Sequence, residues 1–190
     1  NAMISPLVPL RIAGVIWYQG ESNADSPESY RKLFKTLIES WRQAFSNDFP
    51  FYYVQIAPFT YETKTRSALI REIQTQSMDI PKTGMVVVSD LVDNVKDIHP
   101  ANKQDVGKRL ANWALAETYN MKGLVCKHPL YESMKLEKSR VRISFTNTNN
   151  GLKVNGDEIS CFEIAGADQV FQPAKVKIEA SLEILYELQD

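Results

Sequence analysis

The sequence predicts a layered α/β domain with parallel strands, followed by an antiparallel β region. Three observations carry this. Over the first 120 or so residues, short β-branched apolar runs alternate with stretches whose apolar residues recur at helical spacing. Each apolar run breaks into a polar loop, as at the carboxyl ends of buried strands. Beyond residue 124 the pattern changes to alternating segments separated by turn residues. The expected division is therefore 3–124 for the α/β part and 125–190 for the β-rich part.

The elements follow in order. "RIAGVIW" (11–17) reads as a buried strand. Ser26 suits an N-cap and Pro27 the first helical position. Tyr30, Leu33, Phe34, Leu37, Ile38, Trp41 and Phe45 then form one apolar face, and "SNDFP" stops the helix. "FYYVQIA" (51–57) is a second strand, closed by Pro58. Residues 64–78 read as a helix with Ala68, Leu69, Ile73 and Met78 inward. "GMVVVSD" (84–90) is the strongest strand, and its successive valines imply burial on both faces. A polar loop leads to a helix over 103–119, with Val106, Leu110, Trp113 and Ala114 on its inner face. In the tail, "RVRISF" alternates, "TNTNNG" is turn chemistry, and "LKV", "SCFEIAG", "AKVKIEA" and "LEILYEL" are strand candidates.

Composition excludes several classes. With 44% hydrophobic residues and a net charge of −1, the chain can bury a core and carries no basic field for nucleic acid or an anionic membrane. No apolar run approaches the roughly 20 residues of a membrane helix. Asn1 and Ala2 read as remnants of cloning and are excluded from fold reasoning. Cys126 and Cys161 lie far apart with no CxxC pair, so two unpaired thiols are expected, with no metal site and no organic cofactor.

Candidate chemistry concentrates in two loops. Gly20-Glu21-Ser22-Asn23 follows the first strand. Gly20 allows a sharp turn and close approach of substrate to the main chain. Its N–H and the Asn23 amide suit an oxyanion, and Glu21 suits orientation of a histidine. Ser22 is either an attacking hydroxyl or part of a supporting loop; "GESNA" completes only part of the G-x-S-x-G elbow. The second loop holds Asp97-Ile98-His99-Pro100. On an extended segment Asp97 and His99 project to the same side, so the carboxylate can orient the imidazole. His128, at the start of the β tail, reads as a structural or surface residue.

"GVIWYQGESNA", "DFPFYYVQIAPF", "TGMVVVSDL", "DIHPANKQDVGKRLANWAL" and "FEIAGAD" stand in an order that resembles the sialate O-acetylesterase family of the SGNH hydrolase superfamily. The resemblance spans nearly the whole chain. It implies a flavodoxin-like three-layer α/β/α hydrolase domain and serine-dependent removal of acetyl groups from sialic acids or other sugars. It implies oxyanion-hole roles for Gly20 and Asn23, and the roles of acid and base for Asp97 and His99. Glu21 remains an alternative acid. The family's nucleophile sits in a Gly-Gln-Ser-Asn block after the first strand, and "GQSN" does not occur in these 190 residues. The expectation is a domain incomplete at its N-terminus, with Ser22 as a supporting residue and an unpaired sheet edge. That edge invites self-association or pairing with the missing N-terminal segment. Family members acting on glycans are typically exported, so a periplasmic or extracellular parent is implied. Two other readings stay open: a non-catalytic glycan-binding or interaction module of the same fold, and a hydrolase that uses Ser22 itself.

Overall fold

The computed structural model describes residues 2–61, 64–138, 140–148, 151–154, 156, 159, 162–180 and 183–187. Cys161 and part of "SCFEIAG" lie outside the described residues. The chain divides into two compact units, residues 1–127 and 128–190.

The first unit is built on a parallel sheet of three strands in the order β1-β2-β3. These are β1 (Val15–Tyr18), β2 (Phe51–Val54) and β3 (Thr83–Val86), with Val15 opposite Phe51 and Phe51 opposite Thr83. Ladder formation starts later than the apolar runs suggest. Pro50 has no N–H to donate, and only its carbonyl joins the ladder, accepting from Val15. Arg11–Gly14 therefore stay outside the strand.

Every residue of β2 is buried, because helices cover both its faces. Helix α1 (Pro27–Ala44) and helix α2 (Lys64–Gln76) lie on one face. Tyr30, Phe34 and Ile38 of α1 meet Phe51 and Tyr53 there, and Phe34 packs edge-on against Tyr53 with ring centroids 4.9 Å apart. Helix α3 (Lys103–Trp113) covers the other face, where Val106, Leu110 and Trp113 meet Tyr52, Val54 and Val86. This is a three-layer α/β/α arrangement. A π-helical turn, Ala114–Thr118, prolongs α3 over most of the expected span.

Three sequence expectations need correction. Leu33 is exposed although it shares the helical period of α1. Ala68 and Leu69 face outward, whereas Ile70, Gln74 and Ser77 form the buried stripe of α2 and the turn after it. A polar Gln74 at the centre of that stripe hid its phase. Ser26 occupies the N-cap of α1, but its hydroxyl makes no capping bond; its carbonyl instead accepts from the Ser29 hydroxyl.

Strand β1 forms one edge of the sheet and has no second partner among the described residues. Its α3-side residue Ile16 is 66% exposed, and the buried Trp17 indole N–H has no acceptor among the described residues.

The second unit is antiparallel. Strands β4 (Leu130–Glu137), β5 (Arg140–Thr146), β8 (Lys175–Ala180) and β9 (Glu183–Glu187) form a sheet in the order β4-β5-β9-β8. Strands β6 (Glu163–Ile164) and β7 (Gln172–Pro173) form a separate short pair. Residues 152–154, expected as a strand, make none, and β4 was not anticipated: "LYESMKLE" is too polar to signal a strand by itself. The β4–β5 pairing supplies what its sequence does not, with Tyr131 opposite Phe145 and Leu136 opposite Val141.

Two glycines test the packing on the α3 face in opposite directions. A Cβ on Gly84 would lie 2.5 Å from the Trp113 ring, whereas one on Gly107, within α3, meets nothing within 4 Å. Gly84→Ala is expected to cost about 1–3 kcal/mol by overpacking. Gly107→Ala should add about 0.5–1 kcal/mol through helix propensity. Urea unfolding of the two variants beside the wild type checks both signs; equal effects would mean that Trp113 does not press on β3.

Candidate active site

Parallel strands deliver their following loops to one edge. Here these are 19–26 after β1, 55–61 after β2 and 87–102 after β3. Loop 19–26 turns at Gly20, whose φ of +148° is open to glycine and strained for other residues. Glu21–Asn23 make a single 3-10 turn, in which the Asn23 N–H donates to the Gly20 carbonyl at 2.9 Å. The Gln19 side-chain amide donates to Asn23 Oδ1 at 2.8 Å, which holds the Asn23 side chain in place.

A buried polar cluster lies beneath this turn. Gln74 Nε2 donates to the Gln19 carbonyl at 3.4 Å and to the Tyr30 hydroxyl at 3.3 Å. The Tyr30 hydroxyl itself donates to the Gln19 carbonyl at 3.2 Å. Burial pushes the Tyr30 phenol up to about 12, helped by the Glu21 carboxylate and opposed by the Gln74 hydrogen bond, so it stays a protonated donor at neutral pH. Tyr53, raised by burial as well, donates to the Gln74 carbonyl at 2.6 Å.

The loop after β2 links its neighbours. Tyr61 Oη donates to the Glu21 carbonyl at 3.5 Å, and the Thr60 N–H donates to the Val95 carbonyl at 2.8 Å. Phe59 and Tyr61 pack edge to face, centroids 4.9 Å apart. Asp25 of the first loop pairs with Arg66 of α2.

Loop 87–102 carries Asp97 and His99. Asp97 Oδ1 accepts the His99 backbone N–H at 2.8 Å and lies 3.7 Å from His99 Nδ1, just beyond hydrogen-bond reach. The pair is adjacent, but the carboxylate shapes the backbone turn rather than holding the ring. The imidazole is open, with its side chain 87% exposed. The following helix starts with a true cap: Asn102 Oδ1 accepts the Asp105 N–H at 3.1 Å, and its amide donates to Asp105 Oδ2 at 2.9 Å. Lys103 Nζ sits 4.9 Å from the centroid of the Tyr18 ring, bringing the start of α3 to the end of β1.

Gly20, Glu21, Ser22 and Asn23 thus share one turn, and Asp97 and His99 share another at the same sheet edge. Among the described residues no hydrogen bond joins His99 to Ser22 or to Glu21, and Ser22 is exposed. His128 belongs to the second unit, and Cys126 is a free thiol. No cluster of three metal-ligating side chains occurs among the described residues, and no helix among them is long and apolar enough to cross a membrane. The residues missed from sequence are Gln74, Tyr30 and Tyr61. The first has a signal in retrospect: positions 70, 74 and 77 share one helix face, with a glutamine where a core residue belongs.

The β3 loop is anchored by Arg109, which donates to the Val87 carbonyl at 2.6 Å and forms a two-bond fork with Asp90, at 2.8 and 2.6 Å. The Arg109 hydrogen bonds hold the Asp90 carboxyl below its ordinary 3.8. The folded form therefore prefers the carboxylate. Its stabilisation is complete above the ordinary value and is lost as pH falls through the lower folded value. Asp90→Asn is expected to lower stability near neutral pH and to flatten the acid limb of a pH–stability curve. An unchanged acid limb would show that the fork does not hold the loop.

Residues 2–116 match the family described as SASA: carbohydrate esterase, sialic acid-specific acetylesterase. Sialate O-acetylesterase from Mus musculus is 35% identical over 185 residues, covering 87% of this chain and 34% of that protein. The Homo sapiens protein of the same name is 33% identical, with 87% and 35% covered. The crystal structure of a carbohydrate acetylesterase from Xanthomonas citri superimposes with a TM-score of 0.89 at 36% identity, covering 98% of this chain and 44% of that one. The chain thus spans about a third of the length of these curated relatives. With more than half of its residues matched by the family and the same α/β/α architecture, the chain belongs to the sialic acid-specific acetylesterase family of carbohydrate esterases.

Proposed function

We propose that this chain forms the oxyanion-hole and acid–base half of a carbohydrate O-acetylesterase acting on acetylated sugars, sialic acids among them. The observation that carries the reading is the 19–23 turn: a glycine at φ +148° and an asparagine fixed by Gln19, at the same sheet edge as the Asp97–His99 turn. Its relatives' names supply the class of ester.

The roles follow from chemistry. A serine hydroxyl attacks the acetyl carbonyl carbon while His99 takes its proton. The tetrahedral intermediate places a negative oxygen where the Gly20 N–H and the Asn23 amide donate to it. When the intermediate collapses, His99 returns the proton to the departing sugar oxygen, leaving an acetyl-serine. Water then attacks this ester with the same base, releasing acetate and restoring the serine. Asp97 favours the imidazolium formed in each half; Glu21 is the alternative acid, one residue from the oxyanion donor. The exposed imidazole is free to settle against either partner when substrate closes the edge.

The attacking serine comes from a Gly-Gln-Ser-Asn segment outside these 190 residues, paired along the open edge of β1. Ser22, exposed and without a bond to His99, supports the turn. The uncovered α3-side surface of Ile16 supports the same placement, because a parallel sheet buries both faces.

A serine-reactive fluorophosphonate and an aryl acetate test this. The chain alone should give no adduct at Ser22 and negligible turnover. Supplying the serine-bearing segment in trans should produce both an adduct on that segment and turnover. Asn23→Ala should then reduce kcat by about 10²–10³-fold, as for loss of one oxyanion donor. His99→Ala should abolish labelling. A stoichiometric Ser22 adduct on the chain alone, lost in His99→Ala, would replace this reading with a self-sufficient hydrolase.

A further inference from the structure

We infer that Gln74 is a positioning residue that sets the direction of the Gly20 N–H, through the buried hydrogen bonds it makes beneath the 19–20 peptide. The inference rests on the oxyanion role proposed for that N–H.

The argument begins with the peptide plane. In a trans peptide the carbonyl of one residue and the N–H of the next point in opposite directions. No cis peptide bond occurs among the described residues. Whatever draws the Gln19 carbonyl toward the interior therefore turns the Gly20 N–H away from it. Two donors draw it inward, Gln74 Nε2 at 3.4 Å and Tyr30 Oη at 3.2 Å. The Gly20 N–H makes no hydrogen bond among the described residues. It is an unused donor on the outward side of a peptide whose inner side is occupied.

The orientation of the Gln74 amide is itself determined. Its Oε1 accepts the Ile56 N–H at 2.9 Å. A flipped amide would set two donors against each other at Ile56 and an oxygen against the Gln19 carbonyl. Only one arrangement satisfies both ends. The side chain is fully buried, so no solvent competes. Packing adds a second constraint. A Cβ on Gly20 would lie 2.9 Å from Ile56 Cγ2 and 3.1 Å from Gln74 Nε2, so Gly20 rests directly on the amide that holds its neighbour. Because one side chain spans the Ile56 N–H and the Gln19 carbonyl, Gln74 ties the end of β2 to the turn after β1 and sets both by one amide. A methionine of similar length fills the space but leaves the Ile56 N–H unpaired and the Gln19 carbonyl with the Tyr30 hydroxyl as its one remaining donor.

Gln74→Glu gives a reversible version of the same test. A neutral carboxyl donates to the Gln19 carbonyl and accepts from Ile56, keeping the glutamine's two bonds to the backbone while giving up its bond to the Tyr30 hydroxyl. The carboxylate donates nothing and repels that carbonyl. Burial raises the pKa of such a glutamate, so the native arrangement is present below it and lost above it. The titratable side chains in contact with this position, Tyr30 and Tyr53, are both raised by burial and stay protonated over the same range.

The experiment is NMR on the 15N-labelled chain, reading residual dipolar couplings and shifts of the Gly20 amide. In the wild type the N–H vector is expected to match the orientation described here and to be insensitive to pH. In Gln74→Glu it should be native at low pH and displaced at high pH, while the amides of Tyr52, Val54 and Trp113 stay fixed. In Gln74→Met it should be displaced at every pH, and in Tyr30→Phe displaced less. A Gly20 vector that stays native in folded Gln74→Met, or one that ignores pH in Gln74→Glu, overturns the inference. The glutamate titration decides the matter within one folded sample even where the methionine variant does not fold. Acetate, added to the wild type, separates the two readings. A Gly20 amide that responds to Gln74 substitution but not to acetate rejects the oxyanion role and leaves the positioning role standing.

Discussion

Strand β2 is the constraint on which the first unit depends. All four of its residues are buried, and successive residues face opposite layers. Phe51 and Tyr53 need α1 and α2, while Tyr52 and Val54 need α3. Neither layer is optional, because a bare face would leave whole aromatic rings in water; a buried aromatic or large aliphatic side chain contributes about 1.5–3 kcal/mol relative to exposure. Two helices on one face and one on the other follow from this requirement. So does the crossing of each connection over the sheet, which returns every strand in the same direction.

Parallel direction then decides where chemistry can be. Each strand ends at the same edge, so three loops distant in sequence become neighbours there. Their links are polar and specific. Gln74 joins the ends of β1 and β2, Tyr61 and Thr60 join the β2 loop to its neighbours on either side, and Arg109 pins the β3 loop to α3. The result is a firmly held turn at Gly20–Asn23 at the same sheet edge as an exposed histidine. Under the roles proposed for Gly20 and His99, the asymmetry has a physical basis. A hydrogen-bond donor for a developing charge is useful only when it does not move, whereas a base that serves attack, collapse and deacylation must reach three different atoms.

The edge β1 shows the opposite condition. Its two faces are unequally covered: Val15 and Trp17 pack toward α1, while on the α3 side Tyr18 is partly covered and Ile16 is 66% exposed. An exposed β-branched residue on an open parallel edge is an attachment point for a further strand. In the function proposed above, this edge takes the serine-bearing strand, a few residues from the turn at Gly20.

Much of this was legible in the residues. Alternating strand and helix periods identified the α/β class, and the switch to alternation marked the β-rich tail. "GESN" and "DIHP" stood out as polar clusters following apolar runs, and both lie in loops at the carboxyl edge of the sheet. What the pattern concealed was of three kinds. The bounds of β1 and β2 depend on a partner's backbone at Pro50, which a single strand's composition does not reveal. The phase of α2 was hidden because a polar residue occupies one of its fully buried positions. Strand β4 is polar along its length and exists through its pairing with β5. The sequence by itself determined the order of strands and helices, the apolar faces of β2 and α3 and the polar clusters that follow the strands, because hydrophobic periodicity and side-chain chemistry are local. Only the tertiary structure decided that Gln74, 54 residues downstream of Gly20, lies directly beneath it, because a hydrogen bond between strand end and helix is made by the path of the chain and not by any pattern along it.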